Sequence, residues 1–159
     1  MTAPDGLRRL VFRLAKPTPL LNRTLREHWS DRMKRKRALA WEVRVALNGA
    51  LPPQPFARAR VTIERRSVGT PDPDGLVGGM KDLIDVLLVP GEPRRVKRGG
   101  KVKVILPHPC GLGIIADDNP RCLELVPIAK RVASGAEQGT TVTIEELPPE
   151  PTAPGREES

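Results

Sequence analysis

The hydrophobic pattern of the chain changes its period at a single turn, and that change constrains the fold more than any other feature. On one side, Ala59, Val61 and Ile63 alternate with Arg58, Arg60, Thr62 and Glu64. That two-residue repeat predicts a half-buried strand over residues 57–66. On the other side, Leu76, Met80, Leu83, Ile84 and Leu87 recur at helical spacing, which predicts a helix over about 75–88. Between them lies Thr70-Pro-Asp-Pro-Asp-Gly, a turn in which Asp74 reads as the cap of that helix. A strand with one apolar face and a helix with one apolar stripe each need cover. The arrangement that supplies it to both is a helix lying on a sheet.

The remaining segments fit the same scheme. Residues 8–14 (RRLVFRL) alternate, with Leu10, Phe12 and Leu14 on one face, and read as a strand. Lys16 to Leu21 holds two prolines and reads as an extended connection. Ser30 is the expected N-cap of a helix that runs to about Asn48, with Gly49 as its stop. That helix is basic at its start and apolar later, so its front half is expected to face solvent or a partner. Residues 89–111 read as loop and hairpin, 112–116 as a short apolar strand ending at Asp117-Asp118, and 122–126 and 140–146 as the last two strands. The order β-α-β-α-β-β-β predicts an α+β fold with two helices packed on a mixed sheet.

At 159 residues, one domain is expected, over residues 1–146, with a Pro/Glu-rich tail at 147–159 that reads as disordered. No apolar run approaches the ~18 residues of a spanning helix, so no membrane partner is expected. The two cysteines, Cys110 and Cys122, fit a reducing, cytoplasmic setting. With His108 they make a weak set for zinc, lacking paired CxxC spacing. Two Phe, two Trp and no Tyr argue against single-strand binding on rows of stacked aromatics. Trp29 and Trp41 read as core or helix anchors, and His28 as structural.

Charge is unevenly distributed. The net charge is +8, but five of the 19 acids lie after residue 144, leaving the body up to that point at +12. A surplus of this kind points to a polyanion. The expected contacts are Arg32, Lys34, Arg35 and Lys36 at the helix start. Arg94, Arg95, Lys97, Arg98 and Lys101 of the hairpin are expected to join them, clamping duplex DNA. Against this background, six of the body's 14 acids fall in two short segments, Asp72–Asp85 and Asp117–Asp118. Asp74, Lys81 and Asp85 fall on one helical stripe, expected to lie opposite the Leu/Met stripe. Grouped carboxylates raise each other's pKa unless a cation lies between them. Oxygen ligands alone suit Mg²⁺, with Mn²⁺ as a substitute, and a metal in a cationic surface suits phosphodiester hydrolysis. The plain alternative is an ordinary turn, an ordinary cap and an i,i+4 surface pair worth ~0.3–0.5 kcal/mol.

The strings DPDGLVGGMKDLIDVLL and GIIADDNP resemble the RusA family of Holliday-junction resolvases, in the branch carried by phages and prophages. PTPLLNRTLREHW is similar to that family's Pro-rich lead into a basic helix. The resemblance implies a RusA-like domain over residues 8–146 and a homodimer. The implied activity is Mg²⁺-dependent, paired cleavage of branched double-stranded DNA in a bacterial or phage-infected cell. It also implies that Asp72, Asp74 and Asp118 bind metal, with Asp117 the less certain member of its pair. Lys81 is implied as the catalytic lysine, and Asp85 as an additional ligand or a residue that orients one. The chain departs from the family pattern at Gly75, where the family carries Asn, in a longer gap before Lys81, and in a basic insertion at about 91–110. Two further readings stand beside this one. The first is a RusA-like protein that binds structured DNA without cutting it. The second is an RNA-binding or regulatory module whose aspartates are only caps and turns.

Overall fold

The strand after residue 57 and the helical segment behind it organise the whole molecule. The computed structural model describes residues 6–151. In chain order these form β1 (Arg9–Leu14), α1 (Leu21–Thr24), α2 (Trp29–Ala46), β2 (Ala59–Ser67), α3 (Pro73–Gly79) and α4 (Lys81–Leu87). Then follow β3 (Arg94–Arg98), β4 (Lys101–Ile105), β5 (Leu123–Arg131) and β6 (Gly139–Glu146). The fold is α+β. Four strands make one mixed sheet in the order β1-β6-β2-β5, with β6 antiparallel to both neighbours and β2 parallel to β5. Phe12, Leu14, Val61, Ile63, Val142 and Ile144 are all buried, on the side where the alternation places them. They share one core with Ala40 and Val43 of α2, Leu76 of α3 and Leu83, Val86 and Leu87 of α4. No helix among the described residues is long and apolar enough to cross a membrane.

Several local expectations change. The helix over 75–88 is two helices that meet at Met80. The cause lies in Gly78 and Gly79, which pack beneath the proline-rich connection. A Cβ on Gly79 would lie 1.7 Å from the Pro19 carbonyl oxygen, so only glycine admits that approach. The cap is Asp72 rather than Asp74: the Gly75 N–H donates to Asp72 Oδ2 at 2.9 Å, and Asp74 falls in the first turn. Likewise α2 is capped by His28 in place of Ser30, whose N–H donates to His28 Nδ1 at 3.2 Å.

Residues 112–116 do not join the sheet as a strand; Ile115 makes only isolated bridges to Phe56 and Leu88. Their N–H groups instead serve the C-terminal end of α4, Leu112 donating to Val86 O at 2.8 Å and Ile114 to Leu87 O at 2.9 Å. Those carbonyls have no partner within a helix, so the segment is held as a cap rather than as a ladder. The hairpin β3–β4 forms a separate two-stranded ribbon, closed at its base by Gly91 N–H to Pro107 O at 2.9 Å. Trp29 and Trp41 are exposed, at 73% and 66%, and anchor no core. The tail begins tethered, with Leu147 N–H donating to Arg58 O and Arg58 Nη1 to Pro148 O, each at 2.9 Å. The rest of the tail expected to be disordered, residues 152–159, lies outside the described residues.

Candidate active site

The turn into β5 fixes the Asp117-Asp118 pair. Asp117 Oδ1 accepts from the Asp118 N–H at 2.7 Å, and Oδ2 from Asn119 Nδ2 at 2.8 Å. Asn119 Oδ1 in turn accepts from the N–H groups of Arg121 and Cys122. Those donors, Asn119 first and the Asp118 amide second, hold the Asp117 carboxyl below the usual carboxylate range. With both Asp117 oxygens engaged in the turn, Asp118 is the residue that lines the adjacent cleft. That cleft, about 390 Å³, has Lys81 on its α4 side and Val77, Ile84, Leu123 and Leu125 as its apolar floor. Two residues far apart in sequence, Lys81 and Asp118, are thus brought to one surface.

The other expected members of the site are placed differently. Asp72 is turned onto its cap, and the missing side chain at Gly75 makes the room, since a Cβ there would sit 2.7 Å from Asp72 Oδ1. Asp74 is exposed in the first turn of α3. Neither lines the cleft. Among the described residues no three of His, Cys, Asp and Glu converge on a point where a metal would sit. The expected set of Asp72, Asp74 and Asp118 is therefore not a preformed cage, nor do His108, Cys110 and Cys122 make a zinc site.

Asp85 does not share an outward stripe with Asp74; it is buried. Its Oδ2 accepts from Lys36 Nζ at 2.9 Å. Its Oδ1 makes no hydrogen bond and lies 3.6 Å from Lys81 Nζ and 3.7 Å from His108 Nδ1. Asp85 therefore sits beside the exposed Lys81 as an i,i+4 ion pair at the edge of the cleft.

The sequence reading overlooked Asp82. Its side chain is 4% exposed and faces Arg32, Arg35 and Lys36 of α2, with Arg32 Nη2 at 3.0 Å and Lys36 Nζ at 3.6 Å. Burial opposes its ionisation, but hydrogen bonds from Arg35 and Arg32 outweigh that and hold its carboxyl below the usual range. Arg35 also grips Glu27, at 2.8 Å, and that contact lowers the Glu27 carboxyl in its turn. Arg32, Arg35 and Lys36, expected to meet DNA, are instead bound to the molecule's own carboxylates. The spacing carried the signal: acids three apart on α4 and bases three and four apart on α2 present matching helix faces. Lys34 remains exposed, as do Arg94, Arg95, Lys97, Arg98 and Lys101 on the ribbon. A hollow of about 580 Å³ lies elsewhere, between residues 16–19, α1 and α2, and neither Lys81 nor Asp118 lines it.

Chemically, the cleft offers the Lys81 ammonium group, with the buried Asp85 carboxylate 3.6 Å away, and the Asp118 carboxylate beside it. An ammonium group in that position can neutralise a phosphate oxygen, and the carboxylate can bind a cation or accept a proton. In comparisons with protein-family models, with curated proteins and with solved structures, the chain matches none.

Proposed function

We propose that the chain is a Mg²⁺-dependent endodeoxyribonuclease that resolves branched DNA, Holliday junctions included, by paired phosphodiester cleavage. The observation that carries this reading is the meeting of Lys81 and Asp118 in one cleft, the two segments that carry the resemblance to the RusA family. The cationic body and the exposed ribbon bases support a duplex partner. A two-stranded ribbon is also narrow enough to enter a major groove. A homodimer would present two such clefts to a two-fold junction, and the setting proposed is the cytoplasm.

In this mechanism Lys81 positions the scissile phosphate and offsets its developing charge, while Asp85 restrains the lysine. Asp118 supplies the carboxylate for the cation. Mg²⁺ is commonly held by one or two carboxylates together with water and substrate phosphates, so a full protein cage is not required of the free chain. When bound, it would activate water and neutralise charge on the phosphate.

The experiment is incubation of a labelled four-way junction with Mg²⁺. Symmetric nicks are expected from the wild type, with a loss of about 10²–10³ in rate for Lys81→Ala and Asp118→Asn and junction binding retained. Cleavage by both variants at the wild-type rate would sink the site assignment. One observation favours a second reading, binding of structured DNA without cutting: Asp72 is committed to its cap and Asp74 lies outside the cleft. Junctions that shift but stay intact with wild-type protein would select it.

A further inference from the structure

Among the described residues the helices share their core with one face of the sheet; the other carries alternate residues of each strand, among them Arg13 on β1, Arg66 on β2 and Lys130 on β5. Because β2 and β5 are parallel and in register from Ala59↔Leu123 to Ser67↔Arg131, their C-terminal ends finish side by side. There they meet the turn that leads into β6. At that corner is a hollow of about 450 Å³ whose lining includes Arg13, Arg66 and the adjacent pair Lys130 and Arg131, from three separate strands and outside both basic runs of the chain.

Arg66 is the informative member. Its side chain is only 17% exposed, and its nearest acid, Glu64, stands 3.9 Å from Nε. The Nε itself is buried and has no hydrogen-bond partner. A buried guanidinium donor without an acceptor is costly unless something fills it. The one acid on the rim, Glu137, is already engaged: its Oε2 accepts from the N–H groups of Ala133 and Ser134 at 3.0 and 3.2 Å. Four cations thus converge on a hollow whose lining holds a single carboxylate, that of Glu137, so the charge there stays positive.

We propose that this hollow is a phosphate-binding site, built to seat a backbone phosphodiester of nucleic acid away from the Lys81/Asp118 cleft. A guanidinium fork matches two oxygens of a phosphate in one plane, and the neighbouring lysine and arginines add charge without demanding geometry. The site rests on the nucleic-acid half of the proposed function. It needs no cleavage, and a chain that only binds DNA would use it equally. A free phosphate anion shares the chemistry, so the test has an arm for each source.

The variants are Lys130→Ala/Arg131→Ala, which removes two exposed bases, and Arg66→Gln. The control is Arg37→Ala/Arg44→Ala, which removes two exposed bases of α2 that do not line the hollow. Binding of a short labelled duplex is titrated in EDTA at several salt concentrations, so that cleavage cannot intervene. Each lost phosphate contact is expected to weaken binding about tenfold at ~0.1 M salt and lower the salt slope by ~1, with a smaller change in the control. In parallel, thermal melting compares inorganic phosphate with chloride at equal ionic strength. A phosphate-induced rise in Tm that the variants lose, with duplex affinity unchanged, assigns the site to a free anion. If the double variant matches the control on the duplex and the wild type in phosphate, the proposal is overturned. Should Arg66→Gln fail to fold, the double variant decides alone. Loss of the nuclease reading would show only in the junction assay, so the two failures are separable.

Discussion

Residues 32–37 and 94–103 are the two densest runs of positive charge in the chain, and the fold treats them differently. In the first, Arg32, Arg35 and Lys36 turn inward onto Asp82, Asp85 and Glu27. In the second, the bases of β3 and β4 stay exposed and form no ion pair among the described residues. The cause is the element opposite each run. Helix α2 packs against α4, whose carboxylates are three residues apart, whereas among the described residues no helix or other strand packs closely on the ribbon. A run of bases therefore marks a binding surface only where no acidic face of the same molecule is waiting for it.

Removing Asp82 should break this contrast most severely. Asp82→Ala would remove the buried acceptor that three cations of α2 share, leaving Arg35 to Glu27, Lys36 to Asp85 and Arg32 with no carboxylate. Breaking a buried pair by deleting one partner costs about 3–5 kcal/mol. The midpoint of urea unfolding should drop accordingly, with an unchanged m value. A cost below ~1 kcal/mol, the range of exposed pairs, would mean that the α2–α4 seam behaves as surface.

Acid should reach the same seam by protonation. The folded-state pKa of Asp82 lies below its ordinary value of 3.8, so the unfolded chain takes up the proton first as pH falls. The stability that Asp82 contributes is complete above the ordinary carboxylate range and is lost as pH falls through the depressed folded value. Glu27, lowered by Arg35, adds in the same direction. Urea midpoints measured down the acid limb should fall more steeply for the wild type than for Asp82→Asn. Parallel curves would show that the ion pairs of Asp82 carry no net stabilisation.

The sequence made the outline of the fold legible because its strands and helices are one-sided. β1, β2 and β6 follow the alternation of Phe12 and Leu14, Val61 and Ile63, and Val142 and Ile144 closely, and periodicity locates such elements well. What escaped it depended on partners distant in the chain. The break at Met80 is set by the Pro19 carbonyl pressing on Gly79, and residues 112–116 are shaped by the free carbonyls of α4. In the candidate site, Lys81 and Asp118 were legible as chemistry-bearing residues, and their shared cleft follows from β5 lying beside α3, which leads directly into α4. The identity of the cap was not. Asp72 and Asp74 are equivalent by propensity, and Pro73 at the first helical position decides between them, because proline is favoured there and so places the cap one residue earlier. Asp82 escaped for a related reason: its role exists only once α2 is laid against α4.

The ribbon sharpens the comparison with the smallest change in stability. Across β3 and β4, Arg98 stands directly opposite Lys101 in the antiparallel register. Like charges at opposed positions are destabilising, and an isolated two-stranded hairpin has little stability to spare. Val102 and Val104 of β4 are also left 57% and 67% exposed, so burial does little to offset that repulsion. Lys101→Thr should therefore leave urea unfolding unchanged or raise stability by a few tenths of a kcal/mol, since it replaces a repelling base with a strand-forming residue. The sign is opposite to that at Asp82. In the duplex titration the same variant should lower the salt slope by ~1 if Lys101 touches a phosphate. A destabilisation of more than ~1 kcal/mol, beyond the usual ±0.5 kcal/mol of surface substitutions, would mean that the ribbon bases are partnered as those of α2 are. The contrast between the two runs would then fail.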